Sequence, residues 1–342
     1  MHVINATNVN NALEKGIRLF KELEQFESPI SPRGFRTIEC PEPVTTVYTH
    51  PTERVLFSSV RDANPFFHFF ESLWMLAGRN DVGFVEQFNP QMKAYSDDGK
   101  RIWGAYGQRW RNHFGHDQLI ELVNLLKADP ASRRGVVAMW SPDGDQVCRV
   151  TGHDGEVILG GPTGKDVPCN THLYFKIRDG ALRMTVLCRS NDMLWGAYGA
   201  NAVHMSMLQE YLAGKLGVRV GPMTQVSDSL HVYLDDKGGA LWAKIKSVES
   251  DEFYMCPYRL LEVEPFQMNA GEAKWDMDLN NFFHCYDEGK RLFPQHYSTD
   301  FFQHVAVPMW RGWKFRSVSE LELCAASDWR KAGVEWLQRR AK

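Results

Sequence analysis

The sequence contains no CxxC pair, no internal repeat, no low-complexity tract, and no apolar run near the ~20 residues needed to cross a bilayer. Charge of one sign is also missing: 39 basic and 42 acidic side chains leave a formal −3. A membrane-spanning helix, a paired-cysteine motif and a global attraction to nucleic acid are therefore not expected. Any anion site must be local, so the arginines have to be read one by one. The seven cysteines, Cys40, Cys148, Cys169, Cys188, Cys256, Cys285 and Cys324, are scattered and odd in number. With no signal-peptide pattern, the expectation is free thiols in a reducing cytoplasm.

The 342 residues, 44% of them hydrophobic, suffice for a large core. GVVAMW (135–140) is a short apolar run suited to a buried strand, and a polar, Gly-rich stretch from Thr151 to Lys165 reads as a surface loop. THLYFKI (171–177) then alternates with period two, Asp179-Gly180 signals a hairpin, and LRMTVLC (182–188) returns as the partner strand. Met205, Leu208, Leu212 and Leu216 share one helical face that Gly217 ends. In QVSDSLHVYL (225–234) a strand places His231 and Tyr233 on one side. Earlier, Asn64 as cap, Pro65 and Gly78 bracket a helix that is apolar almost all round. Glu71 lies in its middle, either paired with an arginine or catalytic. A mixed α/β or α+β class follows. Beyond Asp251 the aromatics indicate packing without chemistry, and the final basic, amphipathic DWRKAGVEWLQRRAK reads as a solvated terminal helix.

SRRGVVAMW, PCN, CRSNDMLWGAYGAN and DSLHVY, preceded by FESLWMLAG and WGAYGQRWR, occur in one order and spacing between about Arg33 and Tyr233. This run resembles the thymidylate synthase family, which also contains pyrimidine nucleotide hydroxymethylases. The resemblance implies an α/β (α+β) fold with a large mixed sheet flanked by helices, dimerised through the sheets. It implies one catalytic domain over 1–342, with motifs in 1–250 and a divergent extension, 251–342, packed on it.

It also implies roles. Cys169, as thiolate, would add to C6 of a pyrimidine nucleoside monophosphate and make C5 nucleophilic toward the one-carbon unit of methylenetetrahydrofolate. Glu71 and Tyr106 would organise water and move the C5 proton. Arg33, Arg189 and Ser190 would bind phosphate, with Arg36 as the alternative to Arg33 and with Arg133 and Arg134 donated across a homodimer interface. His231 and Tyr233 would hold the sugar, Asn201 and Asn170 the base, and Asp192, Gly196 and Met92 would face the folate. No metal is implied, and His50, His68, His113, His116 and His284 show no paired ligand spacing.

Four departures from the synthase pattern stand out. Asn170 replaces the usual histidine, Gly196 and Asn201 are one residue further apart, Met92 stands at a tryptophan position, and WLQRRAK lacks a short apolar ending. The last two predict poorer exclusion of water, so that water rather than folate hydride captures the exocyclic methylene and a hydroxymethyl group results. Thymidylate synthesis is the alternative. An idle homologue that binds nucleotide or nucleic acid is a second, and a thiol hydrolase using Cys169 with His172 or His204 a third, though three residues along a strand do not bring Cys169 and His172 face to face.

Overall fold

The computed structural model describes residues 1–23, 34–146, 165–248 and 256–341. Arg33 and all but the last residue of the Gly-rich 151–165 stretch lie outside them.

Within these residues seven strands form one mixed sheet in the order β1-β3-β7-β6-β5-β4, with β2 added to β7. The strands are β1 (His2–Ala6), β2 (Thr37–Glu39), β3 (Val44–Tyr48), β4 (Gly135–Ala138), β5 (Asn170–Arg178), β6 (Ala181–Asp192) and β7 (Arg219–Tyr233). As predicted, β5 and β6 form a hairpin turning at Asp179 and Gly180, both with positive φ (54° and 67°). The helix Asn201–Leu216, stopped by Gly217, then returns the chain so that β7 runs parallel to β6. A helix is the usual way to make that crossover.

One face of the sheet carries the core: Leu173, Phe175, Met184, Val186 and Met223 are buried beneath the helices. Among the described residues, none of the helices covers the other face. Across it run two registered rows, Val47-Thr224-Thr185-Tyr174-Val136 and Val3-Thr45-Val226-Leu187-His172-Ala138. Every member is half-buried or exposed.

The apolar helix is Pro65–Leu76, and the Asn64 side chain accepts from the Phe66 and Phe67 amides. It is buried on every side because the C-terminal region closes over it: Trp336 packs on Phe66, Trp329 on Phe69, and Trp310 and Phe282 on Phe70. This corrects the expectation of a solvated terminal helix. Ser327–Arg340 buries Trp329, Trp336 and Leu337, and its basic end bonds Asp62 through Arg339 and Arg340. The basic residues that suggested solvation cover only its outer face.

Candidate active site

The site lies at the C-terminal end of β6, where neighbouring segments converge. Cys169 precedes β5 and is half-exposed; its carbonyl accepts from the Arg189 amide (2.9 Å), and the next amide, Asn170 N–H, donates to the Tyr106 hydroxyl (3.3 Å). Tyr106 opens the helix Tyr106–Arg111, which sits flush against the Glu71 helix at Gly107: a Cβ there would lie 2.0 Å from the Met75 carbonyl. On its other side, the Gly104 amide donates to Asp166 (2.8 Å), in the segment that delivers the cysteine. Burial, with Cys169 and Cys188 adding to it, pushes the Tyr106 phenol well above its ordinary value. Tyr106 is thus a neutral hydroxyl, able to donate, beside the thiol. The segment is braced below by a buried ion pair, Arg109 to Asp145 (2.5 and 2.8 Å).

Behind Cys169 four side chains form a continuous relay. Asn191 donates to the Ser227 hydroxyl (3.0 Å), Asn201 to the Asn191 carbonyl oxygen (3.0 Å), and Asn170 to the Asn201 carbonyl oxygen (3.1 Å). Asn170, Asn191 and Ser227 are buried, whereas Asn201 is half-exposed. The carbonyl oxygen of Asn170 is buried without a partner, an acceptor held ready for a donor. Gly196 is a neighbour of this relay: a Cβ would stand 2.5 Å from Asn191 Oδ1 and 3.1 Å from Asn201 Nδ2.

Asp192 ends β6 opposite His231 in the β7 register and accepts from the Trp195 amide (2.6 Å). Burial raises its carboxyl, opposed by that bond, by His231 and by Arg61. His231 and Tyr233 share one face with ring centroids 5.1 Å apart, and Ser190 pairs in register with Ser229 beside them. Arg189 is exposed, anchored by the Pro168 and Val167 carbonyls, over the Trp140 ring. The predicted residues Cys169, Asn170, Tyr106, Asn201, Arg189, Ser190, Asp192, His231 and Tyr233 therefore converge.

Others stand apart. Arg133 and Arg134 are exposed just before β4, at the margin of the bare face. Met92 lies on the short helix Met92–Tyr95, partly buried against the core. Arg36, the alternative phosphate contact, is held by Asp235 (2.8 and 3.0 Å). Glu71, by contrast, lies on the helix that packs against Tyr106–Arg111, and among the described residues it pairs with no arginine: its Oε2 lies 3.1 Å from Nε2 of the buried His204.

Residues 63–241 match the family model described as thymidylate synthase. A deoxyuridylate hydroxymethyltransferase of Pseudomonas phage M6 is 42% identical over 356 aligned positions, covering 99% of this chain and 95% of that protein. The chain belongs to the thymidylate synthase family. A deoxyuridylate hydroxymethyltransferase of Bacillus phage SP01 is 40% identical over 65% of this chain and 58% of its own length. Among solved structures, thymidylate synthase from T4 phage is similar with a TM-score of 0.51 at 17% identity, covering 72% of this chain and 90% of that one.

Against the family pattern, the extra residue between Gly196 and Asn201 has a structural outlet. Met193–Ala200 forms a wide π-type turn, broken at Tyr198 and Gly199, before the regular helix begins at Asn201. Asn201 is the first residue of that helix, Asn201–Leu216. Sequence reasoning missed Asn191, Arg61 and Trp195, and weighed His204 only as a thiol partner. For His204 a signal was present: it lies three residues beyond Asn201, within one helical turn.

Proposed function

We propose that this thymidylate synthase family member hydroxymethylates deoxyuridylate at C5, taking the one-carbon unit from methylenetetrahydrofolate. The observation that carries the reading is the half-exposed Cys169 set beside a neutral Tyr106, with the Asn170-Asn201-Asn191 relay behind it. A thiol at that place adds to C6 while the amides meet the ring edge. Asn201 has one amide hydrogen and one carbonyl lone pair left over from the relay, enough for a single bidentate contact to O4 and N3–H of uracil.

The phosphate is met by Arg189 and Ser190, with Arg33 outside the described residues and Arg133 and Arg134 supplied by a partner copy. His231 and Tyr233 face the sugar. The folate, when bound, supplies an electrophilic methylene. The ring of Trp195, 44% exposed beside the Asp192 carboxyl and backed by Arg61 at 4.3 Å, fits a flat heterocycle with N–H donors. Likeness over nearly the full length to a deoxyuridylate hydroxymethyltransferase supports water, rather than hydride, as the final acceptor of the methylene.

Incubation with methylenetetrahydrofolate and each of dUMP, UMP, dCMP and CMP, read by mass spectrometry, tests this. Hydroxymethyl-dUMP with tetrahydrofolate is expected, and Cys169→Ala should form none. Turnover retained by Cys169→Ala, or preference for a cytosine nucleotide, would contradict the assignment.

A further inference from the structure

Glu71, the carboxylate to which the family resemblance gives the handling of water and of the C5 proton, has an unexpected neighbour. Glu71 and His204, from the helices Pro65–Leu76 and Asn201–Leu216, meet with side chains 8% and 2% exposed and 3.1 Å between Oε2 and Nε2. The approach lacks hydrogen-bond alignment, and Nε2 finds no other partner. A buried imidazole nitrogen in contact with a carboxylate, but not bonded to it, is costly unless a proton visits the pair.

Among the described residues, His68, one turn before Glu71, stands next to this pair, and Arg61 in turn acts on His68. The His68 ring stands at 88° to that of His204, with centroids 6.2 Å apart. Burial, reinforced by His204 and Arg61, holds His68 well below the usual imidazole range, so it stays neutral. Arg61 is buried, donates to the Leu194 carbonyl (2.7 Å), and faces Asp192 and Asp62. This cluster thus holds one imidazole in contact with the carboxylate and a second that burial keeps neutral.

Given the function proposed above, we infer that His204 is a positioning residue and proton partner of Glu71 in the water-capture step. Water adds to the exocyclic methylene carbon: the carbon–oxygen bond forms and the double-bond pair moves into the ring. The water proton passes to Glu71 and on to His204 Nε2. The ring pair then restores the C5–C6 double bond and expels Cys169 as thiolate, and the proton returns through Glu71 to solvent. No further oxidant or reductant is needed. A carboxylate with such a neighbour can take a proton from water without remaining a buried acid.

The test compares wild type with His204→Gln, which keeps an amide donor for Glu71 but cannot bind a proton. Formation of hydroxymethyl-dUMP is followed against pH. The expected result is a loss of about 100-fold in kcat, in the range of a lost general acid–base contribution, with KM for dUMP within about twofold and an altered pH profile. Unchanged turnover, or slower turnover with the wild-type profile, would overturn the inference. Absence of hydroxymethyl product from the wild type would instead count against the function itself. Independently of turnover, the ring signals of His204 in nitrogen-15-labelled protein should follow pH differently in Glu71→Gln than in wild type. An identical response would also overturn the inference.

Discussion

Gly196 carries the sharpest consequence at the scale of single residues. Asn191 is buried and bonded to Ser227, so it cannot move away from a methyl group placed 2.5 Å from its carbonyl oxygen. Gly196→Ala should therefore break the link between Asn191 and Asn201 and free the Asn201 amide to turn. We expect kcat/KM for dUMP to fall about 10- to 100-fold, the effect of a disrupted buried hydrogen bond, and discrimination against dCMP to shrink. Equal discrimination in variant and wild type would show that the relay does not orient the base-reading amide. Much at this scale was legible in the sequence. The family resemblance of their motifs pointed to Cys169, Tyr106, Asn201, His231 and Asp192, and the structure places these residues near one another. Asn191 was not legible, because an asparagine in a strand gives no hint of which side chain it meets across the sheet.

At the scale of elements, the helix bearing Glu71 shows where sequence reading stopped short. Its cap, proline and apolar character predicted Pro65–Leu76 and its burial, but not what buries it. The covering elements come from beyond residue 256, and that long-range packing leaves no local pattern. The final helix is tied in through Asp328, which is buried, accepts from the Tyr258 hydroxyl (2.8 Å), and has its carboxyl pushed up to about 6 by burial. The unfolded carboxyl has a pKa of ~3.9. A group raised on folding contributes stability that is fully present below the unfolded value and is lost as pH rises through the folded one. Asp328→Asn should therefore flatten the dependence of Tm on pH between pH ~4 and ~7, an interval set by those two values. Parallel wild-type and variant curves would place the pH dependence elsewhere.

For the whole molecule, the bare sheet face and the exposed Arg133 and Arg134 at its margin belong together if two copies pack face to face and each donates these arginines to the other's phosphate site. Mixing a Cys169→Ala subunit with an Arg134→Ala subunit should then restore activity. With random pairing, half the dimers are mixed and each has one complete site, giving about a quarter of wild-type activity. No recovery on mixing would mean the arginines act within their own chain. The mixed α/β class was legible from strand and helix periodicity, and the large mixed sheet flanked by helices from the family resemblance of the motifs. The π-type turn at Met193–Ala200 was visible only as an extra residue, since spacing records an insertion but not how the backbone absorbs it.

The central claim, that a Cys169-bound pyrimidine gives up its methylene to water, is tested most directly by a single turnover with dUMP and methylenetetrahydrofolate in water labelled with heavy oxygen. The account predicts hydroxymethyl-dUMP carrying one heavy oxygen atom in the new hydroxyl, formed in equal amount with tetrahydrofolate. Thymidylate with dihydrofolate, or a hydroxymethyl product without the label, would contradict it.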